Sequence, residues 1–231
     1  MASSVSLSRR LSEAAELVRK GSVVADVGCD HGKLAAYLLD CGRADYVFAT
    51  DIRKQPLEKA AALLSSEKYR NRSECILTDG LCGLPADRIT DVVIAGVGYD
   101  VTGKIIKDAP WLYDPDKRLI LVPASKHEKV RVFLAGEGFS ILSEKAVFDK
   151  GHAYTVICSS YSGIKRELTV EEKWLGDIDL LSPDGSRYAE VLERRMKTVT
   201  EGIRDENDPL RKEAEEILSI TGSRPDPGEN T

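Results

Sequence analysis

The 231-residue chain has no apolar run approaching the roughly 20 residues that a bilayer crossing requires, so no membrane-spanning helix is expected. Its N-terminal stretch MASSVSLSRRLSEAAEL mixes polar and apolar residues where a signal peptide would carry an unbroken apolar segment, and a cytoplasmic location is expected. No C-x-x-C pair and no paired histidines occur. The five scattered cysteines therefore read as reduced thiols, and no metal is expected. Aromatic residues make up only 6% of the chain, and Trp111, Tyr113 and Trp174 read as packing residues. Net positive charge is also lacking, at −5 overall. The imbalance is local: from Arg166 onward ten Lys/Arg face seventeen Asp/Glu, leaving 23 against 21 in the first 165 residues. A mildly basic body with an acidic tail still allows a local phosphate-binding face.

What is present is alternation. Apolar runs bounded by turn residues interleave with stretches of helical period, the pattern of a parallel α/β sheet. Strands are expected at VVADVG, YVFATD, SECILTDG, DVVIAGVG and RLILVP. Helices are expected at LSRRLSEAAELVRKG, KLAAYLLDCG, QPLEKAAALLSSEKY, VTGKIIKDAPWL and HEKVRVFLAGEG. FSILSEKAVFD and AYTVICSSYS are joined by KGH alone, too short for a crossover, so these two pair antiparallel. That order predicts the class I, Rossmann-like fold of S-adenosylmethionine-dependent methyltransferases, a seven-stranded sheet with an antiparallel last strand. Past Gly163 the pattern becomes helical, with a short helix in ELTVEEKWLGDI and a helical hairpin turning at RDENDP. The expected division is residues 1–163 as the catalytic domain, 164–222 as the coiled-coil-like hairpin and 223–231 as a disordered tail. Deletion from about Leu168 onward is expected to leave a folded domain.

The first strand ends in Asp26-Val27-Gly28-Cys29-Asp30-His31-Gly32, a D-x-G-x-x-x-G turn instead of G-x-G-x-x-G. Gly28 permits the sharp turn and Gly32 removes a side chain where the helix begins. Acidic residues there repel a pyrophosphate and suit a cation. S-adenosylmethionine, with a sulfonium and an ammonium group, meets that requirement where NAD does not. Asp51 closes the second strand, placed for ribose hydroxyls, and Asp79 closes the third, placed for an adenine amino group. Ile52 and Leu81 can wall the adenine. Cys29, Gly80 and Gly96 complete the expected cofactor-binding set.

LSRRLSEAAELV, VADVGCDHGKLAAYLL, TDGL, VIAGVG and RLILVP together resemble the bacterial TrmK family of tRNA adenine-N1 methyltransferases, which modifies adenine 22. The similarity covers residue 7 to about 160, and the hairpin past Gly163 is similar to that family's C-terminal coiled-coil domain. Where the family carries AGMGG and QPN, this chain carries Ala95-Gly96-Val97-Gly98-Tyr99 and Val122-Pro123-Ala124. Both departures fall where substrate would sit.

The resemblance implies methyl transfer to N1 of an adenine, whose lone pair needs orientation more than activation. Asp30 is the candidate to accept from the N6 amino group, and Tyr99 the candidate to stack on the base. His31 reads more readily as structural. Arg9, Arg10, Lys33, Arg53, Lys54 and Lys126 are the expected RNA contacts near that edge, with Arg194, Arg195 and Lys197 on the hairpin. The partner is then tRNA, and the chain a monomer or weak homodimer. Two further readings remain open at this point: a small-molecule methyltransferase of the same fold, and a non-catalytic relative that binds RNA or a partner.

Overall fold

Ala25, Val47, Ala49, Val92, Val93, Leu119 and Ile120 are fully buried, which is why their strands read as unbroken apolar runs: helices cover both faces of the sheet. The computed structural model describes residues 5–223. Its strands are β1 (Ser22–Val27), β2 (Ala44–Asp51), β3 (Ser73–Leu77), β4 (Asp91–Ala95), β5 (Arg118–Val122), β6 (Phe139–Asp149) and β7 (His152–Tyr161). They form one seven-stranded sheet in the order β3-β2-β1-β4-β5-β7-β6. β1 to β5 are parallel, and β7 is antiparallel to both β5 and β6. The fold is the class I methyltransferase architecture expected from the alternation. Strand order reverses between β1 and β4, which opens a crevice at their C-terminal ends.

The helices are α1 (Arg9–Leu17), α2 (Lys33–Asp40), α3 (Lys54–Leu64), α4 (Tyr99–Lys107), α5 (His127–Glu137), α6 (Val170–Trp174), α7 (Pro183–Gly202) and α8 (Pro209–Gly222). Three of them differ from expectation. α1 ends at Leu17, with extended backbone at Val18, instead of running to Gly21. α3 stops at Leu64 instead of running to Tyr69, because the Ser65 hydroxyl bonds back to the Ala62 carbonyl (2.9 Å) while Tyr69 turns into the core. The fourth helix starts at Tyr99 and ends at Lys107; Pro110 cannot extend it and opens a separate 3-10 turn, Pro110–Leu112. Of the tail expected to be disordered, residues 224–231 lie outside the described residues.

α7 and α8 form the expected antiparallel hairpin, yet it is fastened to the sheet more firmly than the sequence indicates. Trp174, Tyr188, Leu192, Met196, Ala214 and Ile217 share one buried cluster with Ala146 of β6. Beneath it lies an ion pair with both side chains fully buried, Arg131 of α5 and Glu144 of β6, 2.8 Å apart. Arg131 also donates to the Lys173 and Trp174 carbonyls (3.0 Å each) and to the Tyr188 hydroxyl (3.3 Å). A Cβ at Gly176 would overlap both ionic partners, so only glycine fits there. Cutting the chain at Leu168 would strip Arg131 of three acceptors and uncover Ala146. The deletion expected from sequence to leave a folded domain is therefore expected to be destabilising. More selectively, Arg131→Ala leaves Glu144 buried and unpaired and should cost about 3–5 kcal/mol in urea unfolding; a loss below about 1 kcal/mol would show that the pair does not hold the hairpin.

Candidate functional site

Four strand ends converge on a cavity of about 240 Å³ at the C-terminal edge of the sheet. Its lining includes Gly28 after β1, Asp51 and Ile52 at the end of β2, Asp79 and Gly80 after β3, and Gly96 after β4. Six of the nine expected cofactor residues are thus brought together. The amides of Gly28 and Cys29 both donate to the Thr50 carbonyl (2.8 Å each), hanging the β1–α2 turn on the end of β2. The Thr50 hydroxyl donates to the Gly80 carbonyl (3.1 Å), joining that turn to the loop after β3. Gly28, Gly32, Gly80 and Gly96 all have positive φ.

Gly32 has a different reason to be glycine from the one expected. A Cβ there would lie 3.0 Å from the Ala60 Cβ and 3.1 Å from its Cα, so the missing side chain admits α3 and not the ligand. Cys29 is buried outside the cavity lining, and burial pushes its thiol well above the usual range. Leu81 also turns away, lining a neighbouring cleft with Lys104 and Trp111.

The acids differ sharply in environment. Asp51 is buried and accepts from the Asp30 amide (3.3 Å) and the Arg53 amide (2.8 Å), leaving lone pairs for a ribose. Asp79 is exposed and held by Lys104 at 3.1 Å. Asp26 is only 3% exposed, and its Oδ2 has no hydrogen-bond partner among the described residues. Burial pushes its carboxyl up to about 7; the Asp51 charge adds to the rise, and a hydrogen bond from the Ala35 amide at the start of α2 opposes it. Asp30 takes a left-handed backbone, φ 50°, which short polar residues tolerate. Its exposed carboxylate lies 2.8 Å from His31 Nδ1, and His31 Nε2 lies 3.3 Å from Lys59 Nζ.

Tyr99 is not brought into the cavity. The Val97-Gly98 segment starts α4 at Tyr99 and directs its ring edge-on against Phe133 of α5, with centroids 6.4 Å apart. Lys33 and Arg53 are exposed at the ligand edge; Lys54 lies 3.7 Å from Glu58, and Lys126 pairs with Asp100 at 3.0 Å. Two expected RNA contacts are committed elsewhere. Arg9 pairs with Asp184 at 2.7 Å in the first turn of α7, and Arg195 pairs with Glu128 at 3.0 Å while lying over Trp174. Arg194 and Lys197 remain exposed on α7. Sequence reading missed Thr50, Thr78, Val101 and Ile105 in the cavity wall, although each adjoins or follows a strand end already singled out.

This geometry matches known proteins. The family described as "Methyltransferase domain" matches residues 7–157. The chain belongs to this methyltransferase-domain family. The Bacillus subtilis (strain 168) tRNA (adenine(22)-N(1))-methyltransferase is 26% identical over 151 residues, 65% of this chain and 63% of its own length. The chain thus spans just under two thirds of that relative. The Mycoplasma genitalium protein MG248 is 30% identical over 158 residues, 65% of this chain and 68% of its own. Among solved structures, Mycoplasma capricolum TrmK in complex with S-adenosylhomocysteine superposes with TM-score 0.78 at 21% identity, over 94% of this chain and 98% of that one. Bacillus subtilis TrmK gives 0.77 at 20%, over 94% and 97%. At these identities the superpositions establish the shared fold, hairpin included.

The residues at this cavity fit S-adenosylmethionine on their own chemistry: buried Asp51 and exposed Asp79 in the wall, a turn too acidic for pyrophosphate, and exposed Ile52 and Val101 at an opening sized for a heterocycle; Asp26, buried at the end of β1, is not among the wall residues. Among the described residues no group of side chains could hold a metal ion, and no helix is long and apolar enough to cross a membrane.

Asp26 gives a pH signature. A carboxyl whose folded pKa is raised to about 7 contributes stability that is full below pH 4 and lost as pH rises through 7, on the order of a few kcal/mol in all. The unliganded protein should therefore lose melting temperature between pH 5 and 8, and Asp26→Asn should flatten that slope. Equal slopes in both proteins would remove Asp26 as the origin.

Proposed function

We propose that this chain transfers a methyl group from S-adenosylmethionine to N1 of an adenine in tRNA, position 22 by likeness to the Bacillus subtilis relative. The observation that carries the proposal is the cavity at the β1–β4 reversal, where two acids, Asp51 and Asp79, and three positive-φ glycines, Gly28, Gly80 and Gly96, wall a site for a cationic adenosine, with Asp26 buried at the end of β1. When bound, S-adenosylmethionine supplies an electrophilic methyl group. The protein's part is orientation. Asp26 balances positive charge, Asp51 accepts from ribose hydroxyls, and Asp79 accepts from the adenine amino group of the donor. Asp30, exposed beside the turn, accepts from the N6 amino group of the target base and so turns N1 toward the methyl group while favouring the positive charge that develops on the ring. Its bond to His31 fixes the carboxylate's direction.

Support for a polynucleotide substrate comes from the open edge and its cations. Lys33, Arg53, Lys54 and Lys126 all follow C-terminal ends of parallel strands and so share the cavity's edge. Arg194 and Lys197 add exposed charge on α7, whereas Arg9 and Arg195 serve to brace the hairpin. Tyr99 has no role in this scheme. The reading carries with it a division into a catalytic domain over residues 1–163 and a tRNA-gripping hairpin over 164–222, a cytoplasmic location, and action as a monomer or weak homodimer.

Incubation with labelled S-adenosylmethionine and bulk unmodified tRNA, followed by nucleoside digestion, should yield 1-methyladenosine; label in another nucleoside or none in tRNA would contradict the proposal. Asp30→Asn, which tolerates the left-handed backbone, should lower turnover by about a hundredfold with little change in melting temperature. Wild-type turnover by that variant would remove Asp30 from the reaction.

A further inference from the structure

A second cavity, of about 220 Å³, lies where the sheet meets the hairpin. Its walls are the loop after β5, the start of α5, Ala153 at the start of β7, Trp174 of α6 and one face of α7. β7 is antiparallel to β5, so the end of β5 and the start of β7 share the edge of the sheet that holds the first cavity. The two are directly linked: the Ala124 amide donates to the Val97 carbonyl (3.0 Å), and Val97 lines the first cavity. Arg10 adds a cation to that edge, stacking 4.8 Å over the Tyr154 ring and approaching Gly96.

The lining suits a flat ring that carries N–H groups. Arg195 gives both of its Nη atoms to Glu128 (3.0 and 3.3 Å) while its guanidinium lies 4.8 Å over the Trp174 ring. Glu128 and Trp174 are buried, so the guanidinium plane is fixed with one face on the indole, yet half of the arginine side chain stays exposed. A fixed, half-open guanidinium plane is a stacking surface for a nucleobase. His127 stands nearly parallel to Tyr188, at 16° with centroids 6.2 Å apart, and burial, with the charges of Arg131 and Arg195, lowers its pKa to about 4. It is therefore neutral at physiological pH: one ring nitrogen donates to the Pro123 carbonyl, and the other is an acceptor. Lys126, also in the lining, pairs with exposed Asp100 (3.0 Å), a surface contact that gives way to a phosphate at little cost. Stacking plane, acceptor and ammonium match the base, the N–H groups and the phosphate of one nucleotide.

We infer that this second cavity holds the base of a nucleotide next to the methylated adenine of the RNA, stacked on Arg195, with His127 accepting from its N–H groups and Lys126 on its phosphate. This rests on the reading of the chain as a tRNA methyltransferase. The tie between Arg195 and Glu128 then has a second use, and the hairpin takes part in placing the substrate beside the reacting base, because α6 and α7 supply walls that the sheet alone lacks.

Val191, exposed on the α7 wall, offers a place to fill the cavity. Val191→Trp should weaken binding of unmodified tRNA by about tenfold while leaving S-adenosylhomocysteine within about twofold. Retained S-adenosylhomocysteine binding also shows that the variant is folded, and Ser125→Trp, which fills the cavity from the exposed loop, should repeat the loss. A set of tRNAs made abasic at each nucleotide flanking the methylated adenine, one at a time, should lose about tenfold at one position with wild type and nothing further with Val191→Trp. Unchanged tRNA affinity in both tryptophan variants would overturn the inference. So would an abasic tRNA that loses as much affinity for Val191→Trp as for wild type, since the base would then be held elsewhere. If wild type methylates no tRNA, the reading of the chain as a tRNA methyltransferase itself falls and this inference with it.

Discussion

A carboxylate taken out of water without a full set of partners is expensive, and a chain tolerates it where a ligand makes use of it. Asp26 is that group here. It closes β1 under the start of α2, buried beside a second buried acid, Asp51, with one oxygen left unpartnered. The rest of the site is arranged around this charge. Gly28 and Gly32 bring the turn over it, Thr50 fixes that turn with a carbonyl and a hydroxyl, and Gly80 lets α4 approach so closely that a Cβ would lie 2.9 Å from Ile105. Without the acid, the same turn would be a serviceable phosphate loop. With it, the site favours positive charge, which suits the proposed sulfonium donor and disfavours a pyrophosphate.

The second organising feature is the way α6 to α8 are joined to the sheet. Four elements contribute to one buried polar cluster: Arg131 from α5, Glu144 from β6, two carbonyls from α6 and Tyr188 from α7. Around it, exposed arginines form a set of longer ties, Arg9 to Asp184 and Arg195 to Glu128. α7 is therefore set at a defined orientation to the edge that holds the cavity. For the proposed tRNA substrate this matters more than any single contact, since phosphate contacts fix register best when the surfaces carrying them are rigid relative to one another.

The sheet and its ligand edge were legible because their causes are local. Apolar runs mark strands buried on both faces, and glycines or acids punctuate their ends, so β1 to β7, the D-x-G turn and the acids Asp51 and Asp79 could be read from the order of residues alone. What could not be read depends on pairs far apart in the chain. Arg9 and Asp184 are 175 positions apart, and Arg195 and Glu128 are 67 apart. Nothing in a window of sequence separates a bracing arginine from an RNA-binding one. Gly32 illustrates the same limit: its place in the motif was evident, but the steric reason for it lies in Ala60 on another helix. Tyr99 likewise reads as a loop aromatic until α4 is seen to begin there.

The central claim is that the buried Asp26 must be ionised when the donor's positive head occupies the cavity. Calorimetry of S-adenosylhomocysteine binding in buffers of different ionisation enthalpy measures this directly, because it counts protons exchanged on binding. With a carboxyl at about 7 in the free protein, about half a proton per molecule should be released at pH 7, and almost none at pH 8, where the carboxyl is already ionised and the ligand's ammonium group still keeps its proton. Binding of the same ligand with no proton released at pH 7 would contradict the account.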